Sequence, residues 1–424
     1  MKVLWLRRSL WLAGFACLWL NVHDDPPLRT DAYLLDVTST AATIGLVTAA
    51  DASVVATVRD GAATVVARVG GAGARRRHAL RVEGLRPGSR YDYELEVDGH
   101  VGFRGHIHTA PAVDTAPVRF AFLGDSGDQP WWVWLQHSSL LHWPARWGWF
   151  ADSDAVTRVG AAVADFGPAF VLHLGDVVYP RGLHAHYRSG FFRPFAAALA
   201  KAPFYAVLGN HDVMDTGGLQ ALANLRGPLS RSAGSAGGRH FSFAWGAVRV
   251  IGLDCNTDYS GDRYERGHPA DEFLRAELAR CTEPWIVVAS HFPMRSASRQ
   301  RDRGELLLSL LPQLADGQIS LYVSGHDHCY QRFGEPGGDE PVLVVSGGGG
   351  KDLYEVRPHP LAVRVASEHH WCSAEAAGPT LVVTAAGLGG GQLDRFTLEL
   401  PRDEDLRRLT ARNPERGRRI AALR

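Results

Sequence analysis

The segment HLGDVVYP, His173–Pro180, closes a short apolar run, Ala169–Leu174, that reads as a buried strand ending in a turn. Asp176 then follows a strand's carboxyl end, where open α/β sheets keep their sites. Four further segments repeat that order of apolar run, turn-former and polar donor. They are FAFLGDSGD (Phe120–Asp128), YAVLGNHD (Tyr205–Asp212), IVVASHFP (Ile286–Pro293) and LYVSGHDH (Leu321–His328). Asp125, Asp176, Asn210, His291, His326 and His328 thus stand at five strand ends, the layout of a metal site. Any one of them alone would be an ordinary capped loop residue; the set carries the inference.

The chain has 424 residues, too many for one ordinary core, so more than one domain is expected. Hydrophobic residues make up 46% and charged residues 21%, as in globular proteins. A formal net charge of +0 points to neither nucleic acid nor a strongly acidic partner. Lys2, Arg7 and Arg8 precede the apolar run Ser9–Leu20, so residues 1–27 read as a signal peptide or amino-terminal anchor. The run is short for a spanning helix, which needs about 20 residues. Export in this sense leaves periplasmic, secreted and membrane-anchored locations open. Cys255, Cys281, Cys329 and Cys372 could then pair in any of three ways or stay as buried thiols.

Residues 28–111 read as a small all-β sandwich, with alternation in ATIGLVTA, SVVATVRD and RYDYELEVDG. Turns are expected at Asp60-Gly61, Arg86-Pro87-Gly88 and Asp98-Gly99. The run HALRVEGLRPGSRYDYELEV resembles a fibronectin type III domain. Ala110–Pro117 is the natural linker. From 118 to 400, strands alternate with helices, which gives an α/β domain with helices covering sheets. Helices are expected over Ala155–Phe166, Phe191–Lys201, Ala270–Arg280 and Gly304–Ala315. The glycine-rich VSGGGGK, Val345–Lys351, lacks phosphate-loop spacing and reads as a turn near the site. The tail 401–424 carries eight arginines against four acids, a mixture that suits an exposed helix or a disordered end.

Asp, Asn, His and Tyr offer oxygen and nitrogen donors that suit Fe, Mn or Zn. A carboxylate can bridge two ions, and such a pair clamps a phosphoryl group. The ordered blocks GD, GDxxY, GNH, H and GHxH resemble the calcineurin-like metallophosphoesterases, and within them the purple acid phosphatases. The resemblance implies an α/β metallophosphoesterase sandwich of two mixed β-sheets flanked by helices, after the fibronectin-like sandwich. It implies one metal on Asp125, Asp176, Tyr179 and His328. The second metal falls to Asp176, Asn210, His291 and His326. The ions would be Fe(III) plus Fe, Zn or Mn, with Tyr179 on the ferric ion. His211 matches the histidine that orients phosphate and assists the leaving group, a task open to imidazole near neutral pH. The wider superfamily has a histidine two residues after its first aspartate; here Gly127 takes that place and Tyr179 supplies a donor instead.

The implied activity is hydrolysis of phosphate monoesters by a metal-bound hydroxide. Phosphodiester or nucleotide hydrolysis is the alternative on the same site. An exported surface-binding protein with a vestigial site is the alternative from another class. Arg295, His184 and His186 are candidate substrate contacts. Asp128 and Asp212 read equally as supports for the ligands or as turn residues. The insertion 129–150 holds six of the twelve tryptophans. It reads as local packing, a substrate wall or, like residues 9–20, a membrane contact.

Overall fold

The computed structural model describes residues 30–70, 73–112, 114–127, 154–214, 216–225, 238–256, 268–298, 314, 316–338 and 341–424. The run 1–27, Asp128 and the tryptophan-rich insertion 129–150 lie outside these residues. So does the helix expected at Gly304–Ala315, except for Leu314.

Residues 33–108 form two antiparallel sheets. One has three strands, Tyr33–Leu35, Ala41–Ala52 and Arg75–Glu83. The other orders Val65–Gly70, Val54–Arg59, Arg90–Val97 and His100–His108. Alternation decides which side chains turn inward. Val54, Ala56, Val58, Tyr91, Tyr93 and Leu95 join Ile44, Leu46, Leu80 and Val82 in the core. The Asp98-Gly99 turn has φ of 49° and 80°, the left-handed pair that a tight hairpin demands.

The rest builds two mixed sheets packed face to face. The first orders Phe204–Ala206, Phe170–His173, Val118–Leu123, His370–Ala377, Thr380–Gly387 and Gln392–Glu399. The second orders Phe241–Trp245, Val248–Gly252, Trp285–Ala289, Leu321–Ser324, Leu343–Ser346, Tyr330–Phe333 and Ala362–Ala366. Both inner faces are apolar. Phe120, Phe170, Tyr205, Phe243, Val287, Val323 and Val344 share one core with the amino-terminal sandwich. Helix Ala155–Phe166 covers the outer face of the first sheet through Val156, Val159 and Val163. Helix Pro269–Arg280 covers the second through Ala270, Phe273 and Leu274.

One expectation needs correction and another refinement. Phe191–Lys201 is not one helix: a wide turn at Arg188–Phe192 is followed by a short helix at Ala196–Leu199. Pro194 lies between them, and its missing amide and ring break the helical ladder. The tail is helical and largely exposed, as one alternative had it, but it makes two helices and the second is anchored by buried residues. It folds into Asp403–Arg412 and Pro414–Ala422. The second helix buries Ile420 and Arg416, whose guanidinium donates to the Gln318 and Pro284 carbonyls. Cys255, Cys281, Cys329 and Cys372 are free, buried thiols.

Candidate metal centre

Five strands deliver the site. Asp125 follows Val118–Leu123, Asp176 follows Phe170–His173 and Asn210 follows Phe204–Ala206, all from the first sheet. His291 follows Trp285–Ala289, and His326 and His328 follow Leu321–Ser324, from the second. The cluster therefore spans the seam between the sheets. Asp125, Asp176 and His326 have φ of 57°, 50° and 68°, a conformation that non-glycine residues adopt at a cost. Gly209 is required beside them: a Cβ there would lie 2.2 Å from the Asp176 amide nitrogen.

The donors converge in two groups that share Asp176. The Tyr179 hydroxyl lies 3.1 Å from Asp125 Oδ1, 3.1 Å from Asp176 Oδ2 and 3.2 Å from His328 Nε2. Asn210 Oδ1 lies 3.0 Å from His291 Nε2 and 3.1 Å from His326 Nδ1. His291 Nε2 is 3.5 Å from Asp176 Oδ2, which links the groups. One potential ligand atom from each of Asp125, Asp176 and His291 falls within 4.8 Å of the others.

Hydrogen bonds behind these groups aim them. His328 Nδ1 donates to the Asp352 carbonyl at 2.6 Å and His291 Nδ1 to the Leu174 carbonyl at 2.9 Å. Each ring then turns a bare Nε2 lone pair inward. The His326 amide donates to Asp125 Oδ2 and the His211 amide to Asp176 Oδ1, both at 2.8 Å.

Burial pushes the Asp125 carboxyl well above the usual range; His291 opposes this, and the Asp176 charge adds to it. Burial would raise Asp176 too, but His291, His211 and the His211 amide hold it down to about 2. The Tyr179 phenol is pushed up by burial and by both carboxylates. Burial lowers His328 to about 4, so its ring is neutral at ordinary pH. The donors fit a cation on two counts. Asp125 is a buried acid whose neighbouring carboxylate calls for a counter-charge. The His291 lone pair faces a carbonyl oxygen at 3.0 Å, as acceptors do around a shared ion.

His211 stands beside Tyr179, with ring centres 4.6 Å apart. Its Nδ1 donates to the Pro180 carbonyl at 2.8 Å, and its Nε2 lies 4.0 Å from Asp176 Oδ2. Arg295 lies in the buried loop that follows His291. His184 turns its Nδ1 to Asn224 at 2.9 Å, and buried His186 holds the Arg181 carbonyl at 2.7 Å.

Asp212 is fully buried and accepts from Gly209 N at 2.9 Å and Val177 N at 3.1 Å, so it clamps the loops that carry Asn210 and Asp176. The sequence left that role undecided, because a buried clamp and an exposed turn aspartate read alike. The glycine-rich stretch does lie near the site. Gly124 N donates to Ser346 O and Lys351 N to Asp125 O, at 2.8 and 3.0 Å. Lys351 is buried, 5.6 Å from the Tyr179 ring centre, and Tyr354 stacks on His328 at 4.1 Å. Neither was a sequence candidate, since no motif spacing marks them.

The calcineurin-like phosphoesterase family model matches residues 118–330. The chain is 27% identical over 320 residues to "Probable inactive purple acid phosphatase 9" of Arabidopsis thaliana, covering 64% of this chain. It spans only 46% of that relative's length. It is 26% identical to Purple acid phosphatase 17 of Arabidopsis thaliana, covering 60% of this chain and 74% of the relative. Against tartrate-resistant acid phosphatase type 5 of Sus scrofa it is 26% identical, covering 60% and 75%. Among solved structures, a purple acid phosphatase from yellow lupin (Lupinus luteus) seeds superposes with a TM-score of 0.70 at 16% identity. That superposition covers 87% of this chain and 74% of the other and bears on the fold alone. The matched region starts at the first strand of the first sheet and contains all of the converging donors. The chain belongs to the calcineurin-like phosphoesterases and is a metallophosphoesterase, a hydrolase.

Proposed function

We propose that this hydrolase is a binuclear, metal-dependent phosphatase acting on phosphate monoesters in the manner of the purple acid phosphatases. The observation that carries the reading is the sharing of Asp176 between two donor groups: Asp125, Tyr179 and His328 on one side, Asn210, His291 and His326 on the other. The first group would hold Fe(III) and the second Fe, Zn or Mn. Bound there, the ions would supply Lewis acidity to a phosphoryl oxygen and a nucleophile at moderate pH.

The chain's own residues do the rest. Asp176 keeps the two donor groups in register. His211, its Nδ1 committed to Pro180, presents Nε2 toward the site, where a proton can be held for the departing oxygen. Arg295 is the first candidate for the substrate anion, since a guanidinium can grip phosphate by two hydrogen bonds. His184 and His186 are weaker candidates, being engaged with Asn224 and Arg181. The fibronectin type III-like reading of residues 28–111 is supported by the facing sheets and by the Tyr91 hydroxyl, which accepts from Arg86 N at 2.8 Å. Export rests on the amino-terminal sequence alone. Among the described residues no helix is long and apolar enough to cross a membrane.

The test is a phosphate-ester panel run on the wild type, Asp176→Asn and His211→Ala. His211→Ala should lower kcat by about 10²–10⁴-fold while retaining metal. Asp176→Asn should lose both metal and activity. Full activity in Asp176→Asn would refute the assignment.

A further inference from the structure

We infer that Arg77, on the amino-terminal sandwich, is a positioning residue for His211. This rests on the proposed catalytic role of His211. Two sets of hydrogen bonds, joined by the short backbone stretch 180–184, connect the two. Arg77 Nη2 donates to Asn224 Oδ1 and Arg77 Nη1 to the Ala223 carbonyl, each at 3.0 Å. Asn224 is almost wholly buried, and its amide is used at both ends, with Nδ2 donating to His184 Nδ1 at 2.9 Å. The His184 amide donates to Gln220 on the same short helix, Leu219–Leu225.

His184 opens the helical turn His184–Tyr187, which the loop 180–183 joins to Tyr179. That loop grips His211 at backbone and ring: Gly182 N donates to the His211 carbonyl, and the Pro180 carbonyl accepts from His211 Nδ1, each at 2.8 Å. The packing has no slack. A Cβ on Gly182 would lie 2.3 Å from the Asp212 carbonyl oxygen.

A buried amide satisfied by one partner from each domain fixes a single arrangement, because losing either partner leaves a polar atom unpaired away from water. The sandwich is thereby part of the catalytic scaffold, and His184 acts within it through Asn224. Arg77 itself is only half-buried, so its replacement opens no cavity in the core, and the cost falls on the Asn224 oxygen that it leaves unpaired.

The experiment is a double-mutant cycle in the full chain, using Arg77→Met, Arg77→Lys, Asn224→Ala and His211→Ala. Arg77→Met should lower kcat about three- to tenfold with KM within about twofold, at unchanged metal content and in a chain that stays folded at the assay temperature. Arg77→Lys should recover part of the loss in kcat. In the His211→Ala background Arg77→Met should cost less than about 1.5-fold, since the residue it positions is gone. Equal losses in both backgrounds, or no loss in Arg77→Met and Asn224→Ala, would overturn the inference. If His211→Ala alone is fully active, the catalytic reading of His211 fails and takes the inference with it.

Discussion

Gly127 lies so close to Tyr179 that a Cβ on it would stand 2.7 Å from the Tyr179 amide nitrogen and 2.8 Å from its ring. The histidine that the wider superfamily carries at this position has no room here. The Val178–Tyr179 backbone and the Tyr179 ring together fill the space that a side chain at 127 would need. Gly127→Ala should push Tyr179 away from Asp125 and Asp176. The expected cost is about 1–3 kcal/mol of stability, by overpacking. Metal affinity, measured by competition with a chelator, should fall as well. Unchanged affinity in a folded Gly127→Ala protein would show that Tyr179 does not share the site.

Asp212 supports two loops at once through Gly209 N and Val177 N. Asp212→Ala strands both buried amides, and each unpaired group costs about 1–3 kcal/mol. Loss of such a support should also weaken metal binding by about 10–100-fold. Chemical denaturation and metal titration of the variant would check both. Wild-type values in both would reduce Asp212 to a turn residue.

The strand ends were legible in the sequence because glycine followed by a donor, after an apolar run, has few other uses. The helix Ala155–Phe166 was legible because its apolar positions repeat along one face. Other features depend on long-range contacts that no local pattern encodes. The hairpin strands His370–Ala377 and Thr380–Gly387 lack marked polar alternation; the first becomes sheet by pairing with Val118–Leu123, and the second by pairing with the first and with Gln392–Glu399. Arg416 reads as a solvated charge until the Gln318 and Pro284 carbonyls receive it. Lys351 reaches Tyr179 only because the glycine loop folds back on Asp125.

His370 lies away from the donor cluster, between the Glu368 carbonyl and the Ser346 hydroxyl. Burial lowers its imidazole from 6.5 to about 4, against the Glu368 carbonyl, which favours the charged ring. Between those values the unfolded chain binds a proton that the folded chain refuses. The stability from this group is complete above pH 6.5 and is lost as pH falls toward 4. Wild type should lose stability faster than His370→Gln across that window, by at most about 1.4 kcal/mol per pH unit. Denaturation curves at several pH values would reveal it; parallel pH dependences would contradict the buried neutral ring.

The most direct measurement is the metal content of the purified full chain beside that of Asp176→Asn, after both have been offered iron, zinc and manganese. The shared carboxylate implies about two tightly held ions per wild-type chain and a marked loss in the variant. A wild-type chain that retains no metal, or an Asp176→Asn chain that retains as much, would contradict a centre built around Asp176.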